Sequence, residues 1–210
     1  MDINEVKSRI CQEKIVPVVK LDRLSDTLPL LDALRKGGIN VAEITYRTDC
    51  AGDAIRIGAE TYPDMLVGAG TVISKEQAIS AISNGAQFIV SPGFSADVAK
   101  VCAEYNMLYL PGGISPTEIM NIMSYGLDII KVFPASNIGG LGAIKSLAAP
   151  FPYLKFMPTG GVSQANLAEY LSCPAIIACG GSWMVASKLV DNGEWDKITE
   201  LSKKAVEVAR

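Results

Sequence analysis

The sequence contains no histidine. That excludes a Ser-His-Asp triad, a Cys-His pair and histidine-ligated metal sites. Acid/base work would fall to carboxylates, lysines, tyrosines or the substrate itself. Cysteine is scarce: Cys11, Cys50, Cys102, Cys173 and Cys179 are odd in number and scattered, with no Cys-x-x-Cys pair. No zinc spacing results, and free thiols in a reducing cytoplasm are expected, each as a small buried hydrophobe. No basic run exists and the net charge is −3, so nucleic acid is not an expected partner. The apolar runs are far too short to cross a bilayer, so no membrane partner is expected. Met1-Asp2-Ile3-Asn4-Glu5 lacks the basic and apolar regions of a signal peptide. Neither a metal nor an organic cofactor is implied.

What is present suits one domain spanning residues 1–210. At 49% hydrophobic and 20% charged, the chain can bury a sizeable core, and no low-complexity linker divides it. Apolar strand-like runs recur at 15–19, 41–45, 65–69, 87–90, 107–110, 128–133, 154–157 and 175–179. Most are apolar on both faces, as parallel strands covered by helices are. Amphipathic segments lie between them. Ile119, Ile122, Met123 and Gly126 fall on one helical face, as do Leu24, Leu28 and Leu31. Ser115-Pro116-Thr117-Glu118 and Ser74-Lys75-Glu76-Gln77 read as capping boxes. Eight such units predict an α/β fold, a single (β/α)8 TIM barrel with extra helices before the first strand and after Asp191. A doubly wound sheet is the alternative.

In such a barrel the active face lies at the carboxyl ends of the strands. Three signals point there. Lys131 interrupts Leu127-Asp128-Ile129-Ile130-Lys131-Val132-Phe133-Pro134, a run that otherwise reads as a buried strand. Burial disfavours an ammonium, and a free amine attacks carbonyls to form Schiff bases. A lysine whose head snorkels to water is the alternative. Lys20, at the end of strand one, is the main rival for the nucleophile; Lys155 begins strand seven and belongs at the opposite face. The second signal is parity. Glu43, Thr45 and Arg47 share one face of strand two and should point inward, away from Ala42, Ile44 and Tyr46. Glu43 would move protons and Arg47 would grip a carboxylate bidentately, or the two would form an ordering ion pair. Near an ionised Glu43 the lysine would be held as ammonium, so the two are expected near each other without a tight ion pair. The third signal is Gly160, Gly161, Gly181 and Ser182, in the loops where barrels bind phosphate; plain turn chemistry is the alternative.

These residues belong to a series of segments running in order along nearly the whole chain. They are Val41 to Thr48, Val67 to Val72, Ile89 to Gly93, Pro111 to Ser115, Lys131 to Ala135, Pro158 to Val162 and Gly180 to Trp183. In these segments the chain resembles the KDPG/KHG aldolase family, class I pyruvate aldolases acting on 2-keto-3-deoxy-6-phosphogluconate or 4-hydroxy-2-oxoglutarate. The resemblance implies Lys131 as the Schiff-base lysine and Glu43 as the general acid/base. It implies Arg47 and Thr71 on the pyruvyl carboxylate, with Pro92 shaping that pocket, and Gly160, Gly161, Gly181 and Ser182 on the phosphate. It further implies a homotrimer needing no cofactor. Several relatives carry glutamate where this chain has Ser136, a position that bears on the choice of sugar acid. Relatives acting on the galactonate epimer lack an arginine at Arg47, which favours the gluconate substrate. The rival readings are a galactonate aldolase, a phosphosugar isomerase or epimerase, and a non-catalytic phosphosugar-binding barrel.

Overall fold

The computed structural model describes residues 2–209; Met1 and Arg210, the ends of the expected domain and of the leader segment considered above, lie outside the described residues. The strands are β1 (Ile15–Val19), β2 (Val41–Thr45), β3 (Leu66–Gly70), β4 (Phe88–Val90), β5 (Leu108–Leu110), β6 (Ile129–Val132), β7 (Lys155–Pro158) and β8 (Cys179–Gly181). All pair in parallel. Parallel strands need crossover connections, and helices supply them. Burial on both faces explains the apolar runs: β2, β3 and β6 are buried at every position.

The eight expected parallel strands are present, divided between two sheets. Six strands form one sheet in the order β5-β4-β3-β2-β1-β8, and β6 and β7 form a second. Single parallel bridges link them: Gly112 to Lys131 on one flank, and Phe156 to Ile176 and Thr159 to Gly180 on the other. Strands β5 and β8 have only three residues, and the flanks are made by glycine and by residues beyond the strand ends. There is little strand left there to build a ladder.

Strand β8 also moves. Of the apolar run 175–179 only Cys179 belongs to β8, with Ile176 bridging Phe156 of β7, and the two glycines after it complete the strand. Gly180 pairs with Val16 and Gly181 with Pro17. A backbone ladder needs no side chain, so hydrophobic pattern does not reveal it.

The expected extra helices are Ile3–Glu13 and Trp195–Ala209. The latter docks on helix Thr27–Lys36, with Thr199 Oγ1 donating to the Ala33 carbonyl at 3.0 Å. A Cβ on Gly37 would lie 2.3 Å from the Ser202 Cβ, so glycine permits this close approach. Ser115 and Glu118 form the full reciprocal capping box on helix Pro116–Met123. Ser74 accepts from the Gln77 N–H, but Gln77 Oε1 accepts from Ile73 N–H rather than Ser74. Two apolar faces are narrower than expected. Leu24 belongs to a separate 3₁₀ turn ahead of its helix. Met123 is exposed, and Gly126 lies past the helix end at φ +75°.

All five cysteines are free. Cys102, Cys173 and Cys179 are buried, whereas Cys11 is exposed and Cys50 half-buried. Burial pushes the Cys102 and Cys179 thiols up to about 12. Among the described residues no helix is long and apolar enough to cross a membrane.

Candidate active site

Strand parity sets the inner face. Just past the end of β2, Tyr46 points outward, where its hydroxyl pairs with Ser80 Oγ at 3.0 Å. Glu43 points inward and meets Lys131 of β6, 88 residues away in sequence, with Lys131 Nζ 3.2 Å from Glu43 Oε1. Lys131 is 5% exposed and Glu43 is 0% exposed. Two results correct the sequence reading. Lys131 and Glu43 do form an ion pair, because each is the other's charged partner where water cannot solvate either. The alternative Glu43–Arg47 pair is not formed; Arg47 Nε donates instead to Thr45 Oγ1 at 3.0 Å. The pair also rules out a Lys131 head that snorkels to water.

Glycine makes this pair possible. A Cβ on Gly70, at the end of β3, would fall 2.2 Å from Glu43 Oε1 and 2.7 Å from its carboxyl carbon. No side chain fits there while Glu43 keeps its position. The remaining carboxylate oxygen, Oε2, is buried with no hydrogen-bond partner among the described residues. A buried carboxylate with a free oxygen is a ready proton acceptor.

Directly after Gly70, Thr71 has φ +55°. A β-branched residue in the left-handed region is a strained exception, and such strain gathers at functional sites. Thr71 is half-buried at the carboxyl end of β3. Pro92 is exposed after β4, and its carbonyl oxygen occupies the place a Gly112 Cβ would take, at 2.0 Å.

A cavity of about 330 Å³ opens beside the pair. Arg47, Gly160, Gly161, Gly181 and Ser182 all line it. Thr71 and Pro92 do not, and neither do Lys131 and Glu43 themselves. Phe133 connects the two: it lines the cavity, and its ring centroid lies 5.7 Å from Lys131 Nζ. Gly160 and Gly161 adopt φ +88° and +81°. A Cβ on Gly161 would strike Ser136 Oγ at 2.1 Å, so Ser136 packs on the glycine loop. Arg47 also lines a second cavity of about 510 Å³, with Tyr46, Asp53, Gln77 and Asn84.

The rival lysines fall elsewhere. Lys155 is exposed, with Nζ on the Pro174 carbonyl at 3.0 Å. Lys20 lines the cavity with its ammonium 2.6 Å from Asp22. One residue was missed. Thr159 lines the cavity, is 6% exposed, and its Oγ1 is buried without a partner among the described residues. An unpartnered buried hydroxyl on a cavity wall is poised for a ligand's polar group. Its only signal in the sequence was its place before the glycine pair.

A family model for KDPG and KHG aldolases matches residues 6–201. The 2-dehydro-3-deoxy-phosphogluconate aldolase of Haemophilus influenzae is 41% identical over 206 residues, which cover 98% of this chain and 97% of that protein. Among solved structures, the KDPG aldolase of Legionella pneumophila, with pyruvate captured as a covalent carbinolamine, superposes with a TM-score of 0.91 at 37% identity, covering 94% of this chain and 96% of that one. The 2-keto-3-deoxy-6-phosphogluconate aldolase of Zymomonas mobilis ZM4, with 3-phosphoglycerate, gives 0.90 at 40% identity, covering 100% and 97%.

Proposed function

The chain belongs to the KDPG and KHG aldolase family, and from that premise we propose that it is a class I aldolase cleaving 2-keto-3-deoxy-6-phosphogluconate to pyruvate and glyceraldehyde 3-phosphate. The observation that carries this reading is the buried Lys131–Glu43 pair beside a glycine-walled cavity. The reaction also runs in reverse, and 4-hydroxy-2-oxoglutarate, with pyruvate and glyoxylate as products, is a second substrate of the same chemistry.

The steps follow from the pair. Lys131 passes a proton to Glu43, and the neutral amine adds to the C2 ketone to give a carbinolamine. Glu43 returns its proton to the departing hydroxyl, which leaves as water, and the cationic imine remains. Glu43, again a carboxylate, takes the C4 hydroxyl proton. The C3–C4 electrons flow into the imine, and glyceraldehyde 3-phosphate leaves. The enamine is protonated at C3, and water hydrolyses the imine, releasing pyruvate and Lys131. Arg47 and Thr71 hold the carboxylate, and Pro92 shapes the pocket around it. Gly160, Gly161, Gly181 and Ser182 hold the phosphate, whose binding orients the reacting carbons.

The remaining expectations join this reading. Residues 1–210 act as one domain, closed into an eight-stranded barrel with the help of the flanking bridges. The chain works in the cytoplasm, which its free thiols suit. It assembles as a homotrimer, supported by an apolar outer surface on and beside helix Pro116–Met123: Ile114, Met120, Met123 and Tyr125 are all exposed.

Borohydride reduction in the presence of pyruvate tests the reading. A stable adduct on Lys131, found by peptide mass spectrometry, is the expected result. An adduct on Lys20, or none, overturns it.

A further inference from the structure

A chain of buried hydroxyls runs behind the ends of β3, β4 and β5. Strand pairing carries the outward face of β2 across the sheet: Ile44 lies beside Ala69, Ala69 beside Ile89, and Ile89 beside Tyr109. Register partners share a face, so Tyr109 points away from the side that holds Glu43. Its hydroxyl accepts from the Ser95 N–H at 3.3 Å and donates to Ser91 Oγ at 3.0 Å. Ser91 Oγ in turn donates to the Val72 carbonyl. Tyr109, Ser91 and Val72 are all buried. Burial pushes the Tyr109 hydroxyl above its ordinary pKa, so it keeps the proton it donates. The far end of the chain is fixed, because Ser95 caps helix Ala96–Glu104 through the Val98 N–H.

The near end of the chain meets a strained segment. Thr71, with φ +55°, keeps that conformation only if its surroundings over-determine it. Both adjoining peptide groups are anchored. The Gly70 carbonyl accepts from the Tyr46 N–H at 2.8 Å, and the Val72 N–H donates to the Val90 carbonyl at 3.1 Å. The Val72 carbonyl lies beyond the end of β3, and the Ser91 hydroxyl satisfies it there. Ser91 directly precedes Pro92. One hydroxyl therefore ties the residue after Thr71 to the residue before Pro92. What Tyr109 adds over a phenylalanine is the orientation of the Ser91 proton: by donating to Ser91 Oγ, it leaves that proton for Val72.

We propose that Tyr109 and Ser91 are positioning residues for the substrate carboxylate: their hydrogen-bond chain, anchored at Ser95, locks Thr71 in its strained conformation and fixes it relative to Pro92. Neither side chain touches substrate. Both act through Thr71, whose hydroxyl is aimed at the carboxylate only while Val72 is held from behind. The inference rests on the aldolase reading and adds to it the device that preorganises the carboxylate pocket.

The test is exchange of the pyruvate methyl protons in D2O, which gives KM and kcat for the pyruvate half of the reaction. Tyr109→Phe is expected to raise KM for pyruvate roughly 3- to 10-fold, the loss of one hydrogen bond's worth of positioning, with kcat changed less than about twofold. In Thr71→Gly the hydroxyl is already gone, so adding Tyr109→Phe should raise KM no further. Ser91→Ala breaks the chain one link nearer to Thr71 and should reproduce the rise. It decides the question if circular dichroism shows that Tyr109→Phe does not fold. An unchanged KM in the folded variant, a loss confined to kcat, or the same rise in the Thr71→Gly background overturns the positioning role and leaves the aldolase reading standing. Failure of borohydride to trap pyruvate on Lys131 of the intact chain overturns the aldolase reading, and the proposal with it.

Discussion

Lys131 Nζ lies 3.2 Å from Glu43 Oε1, and the two residues are 5% and 0% exposed. Glu43→Gln keeps the shape of the site and removes the proton acceptor. It is expected to lower kcat by roughly 10²- to 10⁴-fold, while borohydride still traps pyruvate on Lys131. Undiminished turnover would remove Glu43 from the mechanism.

Gly70 sets the position of that carboxylate. In Gly70→Ala the new methyl group would lie 2.2 Å from Glu43 Oε1, so the carboxylate must swing away. A displacement on the order of 1 Å costs about 10²-fold in rate. Exchange of the pyruvate methyl protons in D2O should fall by that factor, since it needs the base, while pyruvate trapping persists. Circular dichroism checks that the variant folds. Exchange at the normal rate in a folded variant contradicts the steric account.

Thr71 is expected to give up stability for function. Its φ of +55° costs on the order of 1–2 kcal/mol for a residue with a side chain. In Thr71→Gly that strain is removed, offset in part by glycine's entropy in the unfolded chain. Urea unfolding should show stability equal to the parent or up to about 1 kcal/mol higher. The KM for pyruvate in the exchange assay should nevertheless rise, because the hydroxyl is gone. A variant destabilised by several kcal/mol would mean that the threonine side chain, rather than the backbone position, holds the loop.

Acid should loosen the cap of helix Pro116–Met123. Glu118 accepts from the Ile114 N–H and the Ser115 N–H at 2.9 Å each, and from the Ser115 hydroxyl at the same distance. The Ile114 N–H is the largest of the causes that lower the Glu118 carboxyl from its ordinary value. The sign follows directly: a depressed carboxylate stabilises the fold above the unfolded value of about 4.3 and loses that contribution as pH falls through the folded one. The gap in urea midpoint between the parent and Glu118→Ala should be full at pH 6 and shrink steadily below pH ~4. A gap independent of pH would show that the ionised carboxylate is not what caps the helix.

Much of this site can be read from residue order, because its main signals are local. Parity alone sends Glu43 and Tyr46 to opposite faces of β2, and the serine and glutamate of the capping box announce helix Pro116–Met123. Lys131 stands out because nothing else in its strand is charged. What the order of residues conceals is whatever depends on distant partners. Nothing local in Gly70 says that a carboxylate from the neighbouring strand fills its missing side chain. The expected strand at 175–179 followed its apolar run, whereas the ladder to β1 is made by Cys179, Gly180 and Gly181. The split into six and two strands depends on how few backbone bridges survive at Gly112 and Thr159, and no periodicity encodes that.

The two glycines of β8 carry a further implication. A Cβ on Gly180 would collide with Thr159 Oγ1 at 2.3 Å, and one on Gly181 with the indole of Trp183 at 1.9 Å. Any larger residue at either position must first evict a neighbour, so this wall tolerates almost no mutational drift. Laboratory evolution toward other aldehydes will therefore be channelled to rim positions with freedom to vary, Ser136 and Lys20 foremost, and the floor of the pocket will persist unchanged through such lineages.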